Sequence, residues 1–230
     1  RPGEAAVLRL AVPEEGTTVM KDVIRGDIAF DHRELDDFVL VRSDGSPVFH
    51  LVNVADDIAM GITHVLRGEE WINSAPKHQL LYQYFGWQMP VLCHMPLLRN
   101  PDRSKFSKRK NPTSLDWYRT QGYLPEAMVN YLVRLGWGHG DQEIFSREEL
   151  VRLFDWDRVG KSDGKFDEKK FADVAFEQLK RPELCPPTDY AARVRPYLGA
   201  RGVAEVDEAR LERWHRRAVT ASTVAQVFED

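Results

Sequence analysis

The stretch Ile62–Leu98, ITHVLRGEEWINSAPKHQLLYQYFGWQMPVLCHMPLL, decides the fold class. Its opening, ITHVLRG, is a short apolar run with the character of a buried strand. Ser74-Ala75-Pro76 then supplies a helix start, with a side chain able to cap and a proline early in the first turn, where its missing N–H costs nothing. Leu80, Leu81, Tyr84 and Phe85 recur at helical spacing, and Gly86 offers a stop. PVLCHMPLL reads as a second buried strand. Strand, helix and strand in this order make a βαβ unit with a parallel sheet, so the fold class is α/β.

Upstream, VLRLAV, DIAF, DFVLVR and VFHLVN read as strands, with the turn chemistry of Ser43-Asp44-Gly45-Ser46 between the last two. This first part is hairpin-rich and β. Downstream the chain turns helical. Leu124-Pro125 opens a helix running to Gly136, Ser146-Arg147-Glu148-Glu149 is a capping box, and Asp167 begins a further helix. KRPELCPPTD, residues 180–189, is the linker candidate because its prolines cannot continue a helix. Beyond it, short amphipathic helices are expected around Gly199 and Gly202, with a last capping box at Ser222, Thr223 and Gln226.

The chain has 230 residues, 43% hydrophobic and 30% charged, which is ordinary globular usage and enough length for two cores. No segment approaches the roughly 18 apolar residues of a membrane span. Arg1-Pro2-Gly3-Glu4 has no initiating Met and no signal-like run, so the chain is expected to be cut from something longer. Cys93 and Cys185 stand far apart without ligand spacing, and neither a disulfide nor a zinc site is expected. A cytoplasmic location follows by default.

Charge is distributed unevenly. The net charge is −4, yet from Arg99 to Lys110 six basic residues (Arg99, Arg103, Lys105, Lys108, Arg109, Lys110) stand against Asp102 alone. Such a local reversal calls for an anion. Within it, Lys105 and Lys108 flank Ser107 in a polar loop, and two ammonium groups three residues apart can converge on one phosphate. A solvated basic loop explains the same residues. Arg67, after the apolar strand, needs a partner: either a substrate carboxylate or a structural salt bridge to Glu69, Glu70, Asp56 or Asp57. Adjacent acids such as Asp36-Asp37 and Asp56-Asp57 point apart and read as solvated faces or caps, and His50, His64, His78, His94, His139 and His215 lack ligand spacing.

KFSKR, residues 105–109, is similar to the KMSKS signature of class I aminoacyl-tRNA synthetases in the form typical of glutamyl and glutaminyl enzymes. The surrounding HMPLLRNPDRSKFSKRKNPTSLDWYR resembles glutamyl-tRNA synthetases throughout. So do VFHLVNVADDIAMGITHVLRGEEWINSAPKHQLLYQYFGW, GYLPEAMVNYLVRLGW and EIFSREELVRLFDWDRVGKSDGKFD, in order and spacing. Together they cover most of Val48 to Asp167. Gly138-His139-Gly140 does not match the other ATP signature, HIGH, because it ends a helix in a later helical region; it reads as a C-capping turn.

The resemblance implies the second half of a Rossmann-like catalytic fold (52–75), preceded by the end of a β-rich connective, acceptor-binding domain (1–51). An all-α stem-contact region carrying the signature loop (76–185) and the start of a helical anticodon-binding domain (186–230) follow. The implied reaction is ATP-dependent activation of glutamate and its transfer to the 3′ end of tRNA(Glu), with Mg²⁺ accompanying the nucleotide. Lys108 and Lys105 take the catalytic role at the ATP phosphates, in a nucleotide-binding set with Ser107, Arg109, Leu97 and Leu98. Arg67, Trp71 and Phe49 bind glutamate, and Arg99, Arg103 and Lys110 bind tRNA. Phe49 stands where many relatives have a tyrosine that hydrogen-bonds the substrate, so this chain keeps the ring and loses the hydroxyl. With the HIGH half missing from its sequence, the chain alone is expected to be inactive, and monomeric. A paralogue that glutamylates queuosine in tRNA(Asp), and a non-catalytic tRNA-binding module, are the competing readings.

Overall fold

The computed structural model describes residues 6–109 and 111–186, together with 188, 189, 192, 193, 209, 210 and 213. Two compact units divide between Leu97 and Leu98. In chain order the first holds β1 (Leu8–Arg9), β2 (Thr17–Asp22), β3 (Gly26–Asp31), β4 (Val39–Val41), α1 (Phe49–Ala59), β5 (His64–Gly68), α2 (Ala75–Phe85) and β6 (Val91–Met95). Its main sheet runs β3-β2-β6-β5, and β1 pairs with β4 separately.

β5 and β6 are parallel, with Arg67 opposite His94, and α2 connects them, as the strand–helix–strand pattern requires. β2 and β3 form an antiparallel hairpin from Thr17 opposite Asp31 to Asp22 opposite Gly26. Alternation along β2 buries Thr18, Met20 and Asp22 on one face. β2 also meets β6 in parallel where Asp22 faces Leu92, and this places a carboxylate at the sheet's centre. Leu10, Phe38, Leu40 and Val54 pack with Leu80, Leu81 and Tyr82 of α2, while Met20, Ala75 and Leu92 close a second cluster. Each of the Val, Leu, Phe and Met side chains among these is worth about 1.5–3 kcal/mol of burial.

Three local expectations change. VFHLVN is not a strand: from Phe49 it winds into α1, because Leu51 and Val54, three residues apart, reach the same apolar cluster and Asn53 bonds Asp57 one turn on. On α2, Tyr84 and Phe85 are exposed, and the buried face is instead His78, Leu80, Leu81 and Tyr82. Ser74 holds the N-cap position of α2 without a side-chain capping bond, whereas Gly86 adopts the left-handed stop at φ 66°.

The second unit contains β7 (Leu98–Arg99), α3 (Leu115–Thr120), α4 (Pro125–Arg134), α5 (Arg147–Leu153), β8 (Gly164–Lys165) and α6 (Glu168–Leu179). Its core is aromatic. Tyr131 and Tyr123 both stack on Phe171, at 4.8 and 4.3 Å between ring centroids, and Tyr118 and Phe166 close the group. Buried Asn130 fills both acceptor sites of its oxygen, from the Phe145 amide and from Gln178, and donates to the Glu143 carbonyl. The capping box at Ser146 and Glu149 forms, and Asp167 caps α6 through the amides of Lys169 and Lys170.

This region is not all-α, as expected for 76–185: β7 and β8 form a short parallel pair there. The approach requires Gly164, since a Cβ at that position would stand 2.8 Å from the Leu135 carbonyl oxygen. Gly138-His139-Gly140 lies in a turn beyond α4, between bridges Trp137–Val159 and His139–Gln142. The linker candidate begins as part of the unit, with Leu184 packed on the aromatic core and Cys185 buried. The helices expected around Gly199, Gly202 and Ser222 lie outside the described residues.

Candidate active site

In the first unit the parallel register sets the site. Arg67 on β5 and His94 on β6 are paired neighbours, and the Arg67 Nε–H donates to His94 Nε2 at 3.0 Å. His94 and Asp22 are both buried, and their side chains meet at 2.7 Å between Nδ1 and Oδ2. Asp22 is fixed further by three backbone amides, those of Ile24, Arg25 and His94. On the other side the Arg67 NH1 group donates to His78 Nδ1 at 3.4 Å, and His78 Nε2 lies 3.0 Å from His50 Nδ1.

These partners dictate the protons. A guanidinium only donates, so His94 Nε2 and His78 Nδ1 both present lone pairs to it. His94 therefore carries its proton on Nδ1, donated to Asp22, and His78 carries its proton on Nε2, donated to His50. The electrostatics of the cluster agree. Burial, and then the Arg67 charge, push His78 down to about 3. His50 is lowered by burial and the nearby Lys77 charge, and His94 by burial against the opposing pull of Asp22. Burial works to raise Asp22, but its bonds to the Arg25 amide and to His94 outweigh it and hold the carboxyl below the usual range.

Arg67 itself is half-buried, and burial lowers its pKa against the stabilising charges of Asp57 and Asp22. Its remaining nitrogen, NH2, is shielded from solvent and has no hydrogen-bond partner among the described residues. None of the salt bridges considered from sequence forms: Glu69 pairs with Arg25 instead. Asp57 accepts from Asn53 and lies beside Tyr82, whose hydroxyl is pushed up to about 12 by burial and that carboxylate. Phe49 and Trp71 stand over this cluster as an exposed aromatic pair, centroids 5.2 Å apart, and Phe49 also touches His78 at 6.2 Å. Arg67, Trp71 and Phe49 are thus joined through His78.

The basic loop belongs to the second unit. A tight turn at 100–104 returns the chain so that Lys105 bridges back to Arg99, with Arg103 at φ 67°. Asn100 and Asn111 clamp the two legs through amide–amide bonds of 2.7 and 3.4 Å, and the Ser107 amide donates to Asn111 Oδ1. Phe106 anchors the middle by packing on Phe166 at 4.8 Å. Between these anchors Lys108 and Arg109 ride on an exposed turn closed by the Asn111 amide to the Ser107 carbonyl. Lys105 is exposed and Ser107 half-buried. Leu97 and Leu98 are half-buried at the head of the loop. Arg99 is committed to Asp163 at 2.6 Å, and Lys110 lies outside the described residues.

The chain matches a known family. A family profile described as tRNA synthetases class I (E and Q), catalytic domain, matches residues 1–173. The chain belongs to the class I tRNA synthetases of the E and Q group. A protein named glutamate–tRNA ligase from Marinobacter nauticus is 57% identical over 169 residues, 73% of this chain and 34% of the relative. One of the same name from Thermus thermophilus is 47% identical over 214 residues, 93% of this chain and 45% of the relative. Among solved structures, the glutamate-tRNA synthetase of Elizabethkingia anophelis superposes with a TM-score of 0.80 at 32% identity, covering 96% of this chain and 48% of that one. A glutamate tRNA ligase from Elizabethkingia meningosepticum, solved in complex with its amino acid, gives 0.81 at 32% identity, over 96% of this chain and 47% of that one. This synthetase chain spans between a third and a half of the length of these relatives. Its mixed α/β fold is that of the glutamyl-tRNA synthetase catalytic domain.

Sequence reasoning on the synthetase missed Asp22, His78 and His94 as members of the cluster. One signal was present: Arg67 is the fourth residue of HVLR and His94 the fourth of VLCH, so parallel in-register strands must make them neighbours.

Proposed function

We propose that this chain works as a segment of a glutamate–tRNA ligase, which activates glutamate with ATP to glutamyl-adenylate and pyrophosphate and then esterifies the 3′ end of tRNA(Glu). The observation that carries the reading is Arg67: a shielded guanidinium whose bonded partners are neutral histidines and whose last nitrogen keeps its donors for an acceptor that enters with the substrate. Glutamate brings such an acceptor in its side-chain carboxylate, and glutamine brings only an amide. Phe49 and Trp71 wall the amino acid.

Lys108, with Lys105, neutralises charge on the ATP phosphates as pyrophosphate leaves, and Ser107, Arg109, Leu97 and Leu98 complete the nucleotide set. Mg²⁺ arrives with ATP and screens its phosphates. The substrate carboxylate is itself the nucleophile, so positioning and charge neutralisation are the protein's whole task. Arg103 and Lys110 bind tRNA phosphates, and Arg99 joins them by exchanging its Asp163 partner for a phosphate. In this reading residues 1–51 end a connective domain, 52–75 belong to the Rossmann-like half, 76–185 contact the stem, and 186–230 begin a helical anticodon-binding domain. The ligase is cytoplasmic, monomeric and free of zinc, and this chain by itself makes no adenylate.

The test uses a complete ligase carrying this chain. Breaking a desolvated charge pair costs about 3–5 kcal/mol, so Arg67→Ala should depress kcat/KM for glutamate at least about a hundredfold. Near-parental kcat/KM in a folded variant would overturn the reading.

A further inference from the structure

We infer that His94 and His78 are positioning residues for acid-over-amide selection: they occupy two donor groups of Arg67 as neutral acceptors and thereby hold its charge unspent for the substrate carboxylate. This rests on the glutamate-binding reading of Arg67 given above.

The usual way to seat a half-buried arginine is a carboxylate in direct contact, which satisfies donors and charge together. A carboxylate is at hand. Asp22 lies at the centre of the sheet, with its side chain wholly enclosed, yet it reaches Arg67 only through His94. Placed one ring away, Asp22 does two things. It fixes His94 in the Nδ1–H tautomer, which turns the Nε2 lone pair toward Arg67, and it leaves the guanidinium without an anion in contact. His50 and His78 repeat the logic on the other flank, where the chain of acceptors ends in another neutral ring. Both arms aim the guanidinium and neither neutralises it. Since the neutral rings satisfy Nε and one NH1 proton, the remaining donors favour an incoming anion over an amide oxygen, because a carboxylate meets the uncompensated guanidinium charge with a full opposite charge and an amide oxygen only with a dipole.

The roles are separable because glutamine and asparagine mimic different ring nitrogens. A glutamine amide at position 94 reaches the place of Nε2 and can still accept from Arg67. An asparagine stops at the place of Nδ1, keeping the bond to Asp22 and losing the acceptor. In a complete ligase carrying this chain, His94→Asn should raise the glutamate KM at least tenfold and reduce the glutamate-over-glutamine preference by a similar factor. The KM for ATP should stay within about twofold, and His94→Gln should restore the glutamate KM to within about threefold of parental. If His94→Gln fails as badly as His94→Asn, or if neither changes the preference, the inference is overturned.

Arg67→Met in the same assay separates the two claims. An unchanged glutamate KM there defeats the binding reading itself, whereas a large loss there beside a harmless His94→Asn defeats only the positioning role. A measurement on the unaltered chain covers the case where the variants do not fold. Nitrogen NMR of ¹⁵N-histidine-labelled protein at neutral pH should show His94 as the Nδ1–H tautomer, uncommon for a free imidazole. An Nε2–H ring or an imidazolium at position 94 would overturn the inference.

Discussion

Mild acid should loosen the first unit through His78, by an amount the structure fixes. In the fold His78 is held neutral to about 3, while in the unfolded chain it titrates near the ordinary histidine value of about 6.5. Between those values the unfolded state binds the extra proton, so stability rises with pH across the window and is lost as pH falls through it. At pH 5 the unfolded form gains about 1.5 units of protonation free energy that the native form cannot match, which is about 2 kcal/mol; above pH 7 the penalty vanishes. His50 and His94, also lowered, act in the same direction. Asp57, raised by burial, acts against them, because it takes up its proton earlier in the fold than out of it. Arg67 keeps its charge throughout the window, and Asp22, held low, stays ionised at pH 5. Hydrogen exchange at pH 7 and pH 5, corrected for intrinsic rates, should show α2 and β6 amides losing protection together while α4 and α6 keep theirs. His78→Gln should remove most of that pH dependence. A His78 ring that titrates near 6.5 by NMR, or protection in α2 that does not change between the two pH values, would refute the neutral-histidine argument.

Lys108→Ala in a complete ligase should slow adenylate formation by roughly 10² to 10³, the usual loss for one preorganised charge donor, with Lys105→Ala milder; single-turnover measurement of pyrophosphate release decides it. Gly164→Ala should cost about 1–3 kcal/mol in a denaturant titration of the second unit, because the added carbon meets the Leu135 carbonyl at 2.8 Å and Leu98 Cδ2 at 3.2 Å. A neutral result there would mean that β7 and β8 pair more loosely than described. Weak tRNA binding by this chain should follow salt with a log–log slope of about −2 to −4, and replacing Lys108, Arg109 and Lys110 by Ala should flatten it by about two to three units, for cognate and non-cognate tRNA alike.

What could be read from sequence was local. The βαβ order, the capping box at Ser146, the α6 cap at Asp167 and the Gly86 stop all depend on residues within a few positions of one another, where propensity and capping act. α1 was misread because VFHLVN is a short apolar run just after Asp-Gly turn chemistry, as in a hairpin; the contact that makes it a helix is Val54 against Leu80 and Leu81, some 26 residues along the chain. β2 escaped notice for a related reason: its buried face is Thr18, Met20 and Asp22, two of them polar, and only pairing to His32 and His94 makes that burial tolerable. The signature loop was legible as charge. Its scaffold was not, since Asn100, Asn111 and the Phe106–Phe166 contact carry no charge pattern.

The arginine site shows why such information is hard to see in one dimension. Arg67 was expected to need an anion, and the nearby sequence offered four; the fold uses none of them in contact and brings Asp22 from 72 residues before His94 to act on the histidine instead. A sheet optimised for stability alone would place the carboxylate directly on the guanidinium, because an unpartnered buried donor costs about 1–3 kcal/mol and more when charged. This sheet bears that cost at Arg67 NH2 while satisfying every oxygen of Asp22. A full set of bonds on the acid that orients His94, and an incomplete set on the guanidinium that His94 aims, are what the proposed glutamate reading requires of a site shaped around an incoming anion.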